Sequence, residues 1–73
     1  MTPKQFYYAY PKAHLIDVAK RAGTNLSNFQ QIAIAGGSVS KTLAEKLAKS
    51  SDGEMSELEI LYPERFEQQA VNQ

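Results

Sequence analysis

The sequence predicts an all-α fold, a compact bundle of about five short helices, and three observations carry that expectation. Apolar residues recur at helical rather than alternating spacing: Leu15, Val18, Ala19 and Ala22 fall at i, i+3, i+4 and i+7, and Leu43, Ala44, Leu47 and Ala48 form a second stripe. Residues that start helices stand just ahead of such runs, namely Thr2, Thr24 or Asn25, Ser38 or Ser40, and Ser56. Residues that stop helices stand just behind them: Pro11, Gly23, the Gly36-Gly37 pair and Pro63.

In chain order, Thr2 before Pro3 is an N-cap with proline in the first turn, so a first helix starts at once and turns Phe6 and Tyr10 inward. Tyr7 and Tyr8 cannot both face inward, so one belongs to the rim. Pro11 ends this helix and opens the next, which runs to Ala22. Gly23 suits the left-handed position after a helix, and the chain restarts as a third helix over about 26–35 with Phe29, Ile32 and Ala33 inward. Two short helices joined by a tight turn containing glycine are a helix-turn-helix. After Gly36-Gly37 a fourth helix runs through Lys49. Ser56-Glu57-Leu58-Glu59 is a capping box for a short fifth, with Met55, Leu58 and Leu61 expected in the core.

Seventy-three residues make one small domain, expected over 1–67, with 68–73 a frayed tail. There is no cysteine, which excludes disulfides, thiolate zinc sites and cysteine nucleophiles. No apolar run approaches the ~20 residues of a membrane span, and the first ten residues lack a basic segment followed by an apolar one. The expected location is the cytoplasm, away from membranes. Zero net charge conceals a segregation: seven basic and two acidic residues precede Ser50, while one basic and six acidic residues follow from there. Local positive charge is what attracts phosphate, so a basic body with an acidic end fits a nucleic-acid binder that keeps a separate partner surface.

Enzymatic chemistry has no foothold. His14 is the only histidine and has no carboxylate or second histidine at ligand spacing except Asp17 one turn on. Ser27 has no base near it in sequence and no nucleophile-elbow glycines. Neither cofactor nor metal is expected.

The third helix carries the functional signal. Its outward positions hold Ser27, Asn28, Gln30, Gln31 and Ile34 instead of the Glu, Lys and Arg that usually fill exposed helix faces. Glutamine and asparagine can pair bidentately with adenine, serine can donate or accept, and Ile34 could lie against a thymine methyl. The plainer alternative is a neutral helix surface with a chance run of amides. Lys12, Asn25, Ser40 and Lys41 are candidates for holding phosphates, Ser40 and Lys41 through the start of the fourth helix; Lys41 could equally be a solvated charge. Ile60, Tyr62 and Phe66 exceed what so small a monomer needs to bury and are candidates for a dimer or partner surface.

From about Tyr10 to Phe66 the chain resembles the Cro-like repressors of phages and prophages, within the lambda-repressor-type helix-turn-helix class. Ala22-Gly23-Thr24 followed by Asn28-Phe29-Gln30-Gln31-Ile32-Ala33 is similar to the family's AGT…YLxQIA. Ser40 with Leu43-Ala44 is similar to its SPxLA, and Leu61-Tyr62-Pro63-Glu64-Arg65-Phe66 to its LRPDIW. The resemblance implies a transcription regulator that sets its third helix in the major groove of double-stranded DNA and binds as a homodimer to a pseudo-palindrome. Relatives place arginines where this chain has Gly36 and Gly37, a proline at Val39 and often an arginine at Tyr62. Those differences motivate a second expectation: a helix-turn-helix domain turned to protein binding, such as a phage-encoded inhibitor or adaptor that grips a host protein.

Overall fold

The computed structural model describes residues 1–66. The chain forms α1 (Pro3–Ala9), α2 (Lys12–Arg21), α3 (Leu26–Ala33), α4 (Lys41–Ser50) and α5 (Glu57–Leu61), then a single helical turn over 63–66. No strand occurs among the described residues.

Four of the five helices begin at a side-chain cap. Thr2 Oγ1 accepts the Gln5 N–H at 3.2 Å while Gln5 Oε1 accepts the Thr2 N–H at 2.9 Å, and Ser56 and Glu59 form the same reciprocal box ahead of α5. Asn25 Oδ1 accepts the Asn28 N–H at 2.7 Å, and Ser40 Oγ the Leu43 N–H at 3.2 Å. Ser40, not Ser38, therefore starts α4. The exception is α2, whose N-cap is Pro11: the ring presets φ at −70° but supplies no side-chain acceptor.

The ends of α2 and α4 are built alike. Gly23, at φ +84°, donates its N–H to Lys20 O while Thr24 donates to Ala19 O; Asp52, at φ +56°, donates to Lys49 O while Gly53 donates to Ala48 O. Each pair closes the last turn on carbonyls that would otherwise lack a partner.

Packing follows from the apolar stripes. The central helix α2 lies against α3 and α4, α1 covers α3, and α5 covers α4. Phe6, Leu15, Val18, Ala19, Ala22, Phe29, Ile32, Ala33, Ala44, Leu47, Met55 and Ile60 form one buried cluster. Phe6 and Phe29 meet edge to face with centroids 6.3 Å apart, the arrangement that ring quadrupoles favour. Tyr7 packs beside Phe29 and Tyr8 is the rim residue.

Three expectations need correction. The helix expected over about 26–35 ends at Ala33, with i→i−4 bonds from Ile34 and Ala35 trailing it until Gly36, at φ +71°, leaves the helix and Gly37 turns its N–H back onto Gln31 O at 2.9 Å. Ile60, expected at the surface, is 1% exposed, while Leu58, expected in the core, is 58% exposed. The Ser56 cap fixes where α5 starts; with ~100° per residue, Ile60 and Leu61 then face α4, and Leu58 and Tyr62 share the outer side. Tyr10 is only half-buried, since it serves as the C-cap of α1. The expected tail at 68–73 lies outside the described residues.

Candidate nucleic-acid interface

The outer side of α3 is set by its inner side. With Phe29, Ile32 and Ala33 locked into the core, the remaining positions can only project outward, and Ser27, Asn28, Gln30, Gln31 and Ile34 are all exposed. Ser27, Gln30, Gln31, Ile34 and Ala35 fall at i, i+3, i+4, i+7 and i+8 and line one shallow groove of about 270 Å³. They form a single stripe. Among the described residues no hydrogen bond to the rest of the chain engages the side chains of Ser27, Gln30 or Gln31. Their donors and acceptors remain available to a ligand.

Asn28 differs from its neighbours. Its Nδ2 donates to Thr24 Oγ1 at 2.8 Å while its backbone N–H is held by Asn25, so the side chain braces the turn and keeps its carbonyl oxygen and one amide hydrogen for recognition. Asn25 likewise has its Oδ1 engaged in the cap.

A depression flanks the stripe on each side. Toward the turn, Gly23, Thr24 and Asn25 join Ser27, Asn28 and Gln31 around an open groove of about 500 Å³. Toward α1 and the start of α2, Tyr7, Tyr10, Lys12, Leu15 and Leu26 join Ser27 and Gln30 around a cleft of about 560 Å³. Lys12 is thus brought to the edge of the α3 face, at the first position of the one helix without a side-chain cap. The partly positive end of α2 and the Lys12 ammonium stand together there, a combination suited to phosphate. By contrast, Ser40 and Lys41 are exposed at the start of α4 but border neither depression.

Of the aromatic wall beside Lys12, the sequence hinted at Phe6 and Tyr10 but not at His14. His14 packs against Tyr10 with centroids 4.6 Å apart, and Tyr10 against Phe6 at 4.6 Å, both ring pairs tilted by more than 40°. The Tyr10 hydroxyl donates to the Glu54 carboxylate; that hydrogen bond, partial burial and the nearby negative charge together hold the phenol above its ordinary pKa. Tyr10 is therefore a structural strut. Lys4, on α1, was also overlooked: together with Ile34, Gly36 and Glu64 it borders a small groove at the far end of α3. The one-turn spacing of Phe6 and Tyr10 was the available signal for this side. Among the other cations, Arg21 is paired with Asp17 at 3.1 Å.

Of the C-terminal candidates, Ile60 belongs to the core and cannot contact a partner, whereas Tyr62 is exposed and Phe66 half-buried. Leu58 takes the place of Ile60, one turn before Tyr62 on the same side. Arg65 lies over the Tyr62 ring, 4.7 Å from its centroid. No group of three or more His, Cys, Asp or Glu side chains able to hold a metal occurs among the described residues, and no helix there is long and apolar enough to cross a membrane.

Comparison with protein-family models, curated proteins and solved structures returns no match. The fold itself defines a small all-helical domain built on a helix-turn-helix, with an uncharged, hydrogen-bonding outer helix face as its most distinctive surface.

Proposed function

We propose that the protein is a sequence-specific double-stranded DNA-binding transcription regulator, of the Cro-like repressor kind, that sets α3 in the major groove. The observation that supports this reading is the stripe of Ser27, Gln30, Gln31 and Ile34: set by the buried side of α3, exposed, and with no side-chain hydrogen-bond partner among the described residues. Ser27, Gln30 and Gln31 read base edges, with Asn28, tethered to Thr24, in a lesser part. Lys12 and the open end of α2 hold one phosphate strand, and Asn25 and the turn approach the other. Ser40 and Lys41 serve as a more distant clamp.

Selection from a randomised duplex pool, followed by fluorescence anisotropy across salt concentrations, tests it. Affinity for the selected duplex falls steeply with salt. Lys12→Ala reduces that slope by about 0.9 per subunit without altering sequence preference, while Gln31→Ala relaxes preference at one base pair of each half-site. Equal, weak binding to every duplex at low salt overturns the proposal.

Exposure of Leu58 and Tyr62 on an acidic segment favours a second reading, in which that surface grips a host protein. The two readings separate on the Leu58→Ser, Tyr62→Ser double variant. If the surface is a homodimer contact, the variant sediments as a monomer and binds DNA more weakly. If it grips a different protein, DNA binding and mass are unchanged and capture of that protein is lost.

A further inference from the structure

We infer that the DNA half-site is an A·T run of about four base pairs, with a thymine methyl seated against Ile34; this rests on the DNA-binding reading above. From Ala22 to Ser40 the sequence contains no charged side chain. Reading of guanine in the major groove most often uses Arg or Lys on O6 and N7, and the cytosine amino group is met by Asp or Glu. The α3 face has neither.

What it presents instead matches A·T pairs. Gln30 and Gln31 lie side by side in the stripe, and a glutamine carboxamide meets adenine N6 and N7 with one acceptor and one donor. Ile34 and Ala35 close the same groove with an apolar end, and Ile34 is 42% exposed although it is a large aliphatic residue. The 5-methyl group of thymine is the one apolar feature on the major-groove edge. Positions 27 to 35 span about 12 Å at ~1.5 Å per residue, or about four base pairs at ~3.4 Å each. Lys12, which shares a cleft with Ser27 and Gln30, lies at the edge of the face, where it meets the backbone rail instead of the groove floor.

The test combines selection with single-atom substitution. A randomised duplex pool is enriched on the protein, and each thymine of the enriched half-site is replaced in turn by deoxyuridine, which lacks only the methyl. The expected consensus is A·T in the half-site core, and one deoxyuridine position lowers affinity about fourfold, the worth of one buried methyl. Ile34→Ala, at a half-exposed position beyond the end of α3, removes that fourfold difference while its melting temperature stays close to that of the unaltered protein. A consensus whose most constrained positions are guanines overturns the inference and leaves DNA binding standing. So does a deoxyuridine effect that persists in Ile34→Ala. A pool that never enriches overturns the DNA-binding reading and this inference with it.

Discussion

Ser51 shows how much a single polar residue can carry in a domain of this size. It is nearly fully buried; its Oγ donates to Ala48 O at 3.0 Å and accepts the Met55 N–H at 3.1 Å, so one hydroxyl ties the end of α4 to the residue that starts the approach to α5. Ser51→Ala leaves the Met55 amide buried without an acceptor. The expected cost is about 1–3 kcal/mol, measured by urea unfolding, and a loss below the error of that measurement would show that water replaces the hydroxyl. Single residues were legible in the sequence where one helix decides their direction. Ser27, Gln30 and Gln31 point outward because Phe29, Ile32 and Ala33 must point inward. Asn28 was not legible in this way, because its role depends on Thr24 Oγ1, and nothing in the helical period reveals that pairing.

Elements were legible in proportion to their length. The ten-residue α2 and α4 each repeat their apolar stripe over nearly three turns, and their inward faces were readable from spacing alone. Five-residue α5 covers about a turn and a half, so Leu58, Ile60, Leu61 and Tyr62 admit more than one inward register. Packing against α4 chose Ile60. The matching ends of α2 and α4 allow a direct comparison of backbone cost. Gly23 is at φ +84° with open space where a Cβ would stand, so Gly23→Ala suffers conformational strain alone, about 1–2 kcal/mol, reduced by the stiffer unfolded chain. Asp52 already carries a Cβ in the equivalent left-handed position. Gly23→Ala therefore lowers unfolding stability by about 1 kcal/mol, and Asp52→Ala by clearly less. A reversed order would mean that contacts of the Asp52 carboxylate, not backbone strain, govern the end of α4.

At the scale of the whole molecule, charge and shape have to be reconciled. All basic residues but Arg65 lie on α1, α2 and α4, and all acidic ones but Asp17 and Glu45 follow Ser50, a division visible in the sequence. What was not visible is how few cations border α3: Lys12 on one flank, and Lys4 beside Glu64 at its far end. The proposed complex accordingly draws more of its specificity from the α3 face, and less of its affinity from phosphates, than a lysine count suggests. With extents of 35 × 25 × 22 Å, two copies fit in successive major grooves on one side of a duplex, where half-sites recur every ~34–36 Å. In the proposed dimer, the acidic segment bearing Leu58 and Tyr62 is the candidate contact between the copies.

The central claim is that the outer side of α3 is the surface that meets DNA, and amide NMR during titration with the enriched duplex tests it most directly. The account predicts that the backbone signals of residues 26–35 and the side-chain amides of Gln30 and Gln31 shift most, followed by Lys12 and the Gly23–Asn25 turn. Shifts confined to α4 and α5, with the α3 signals unmoved at saturation, would contradict it.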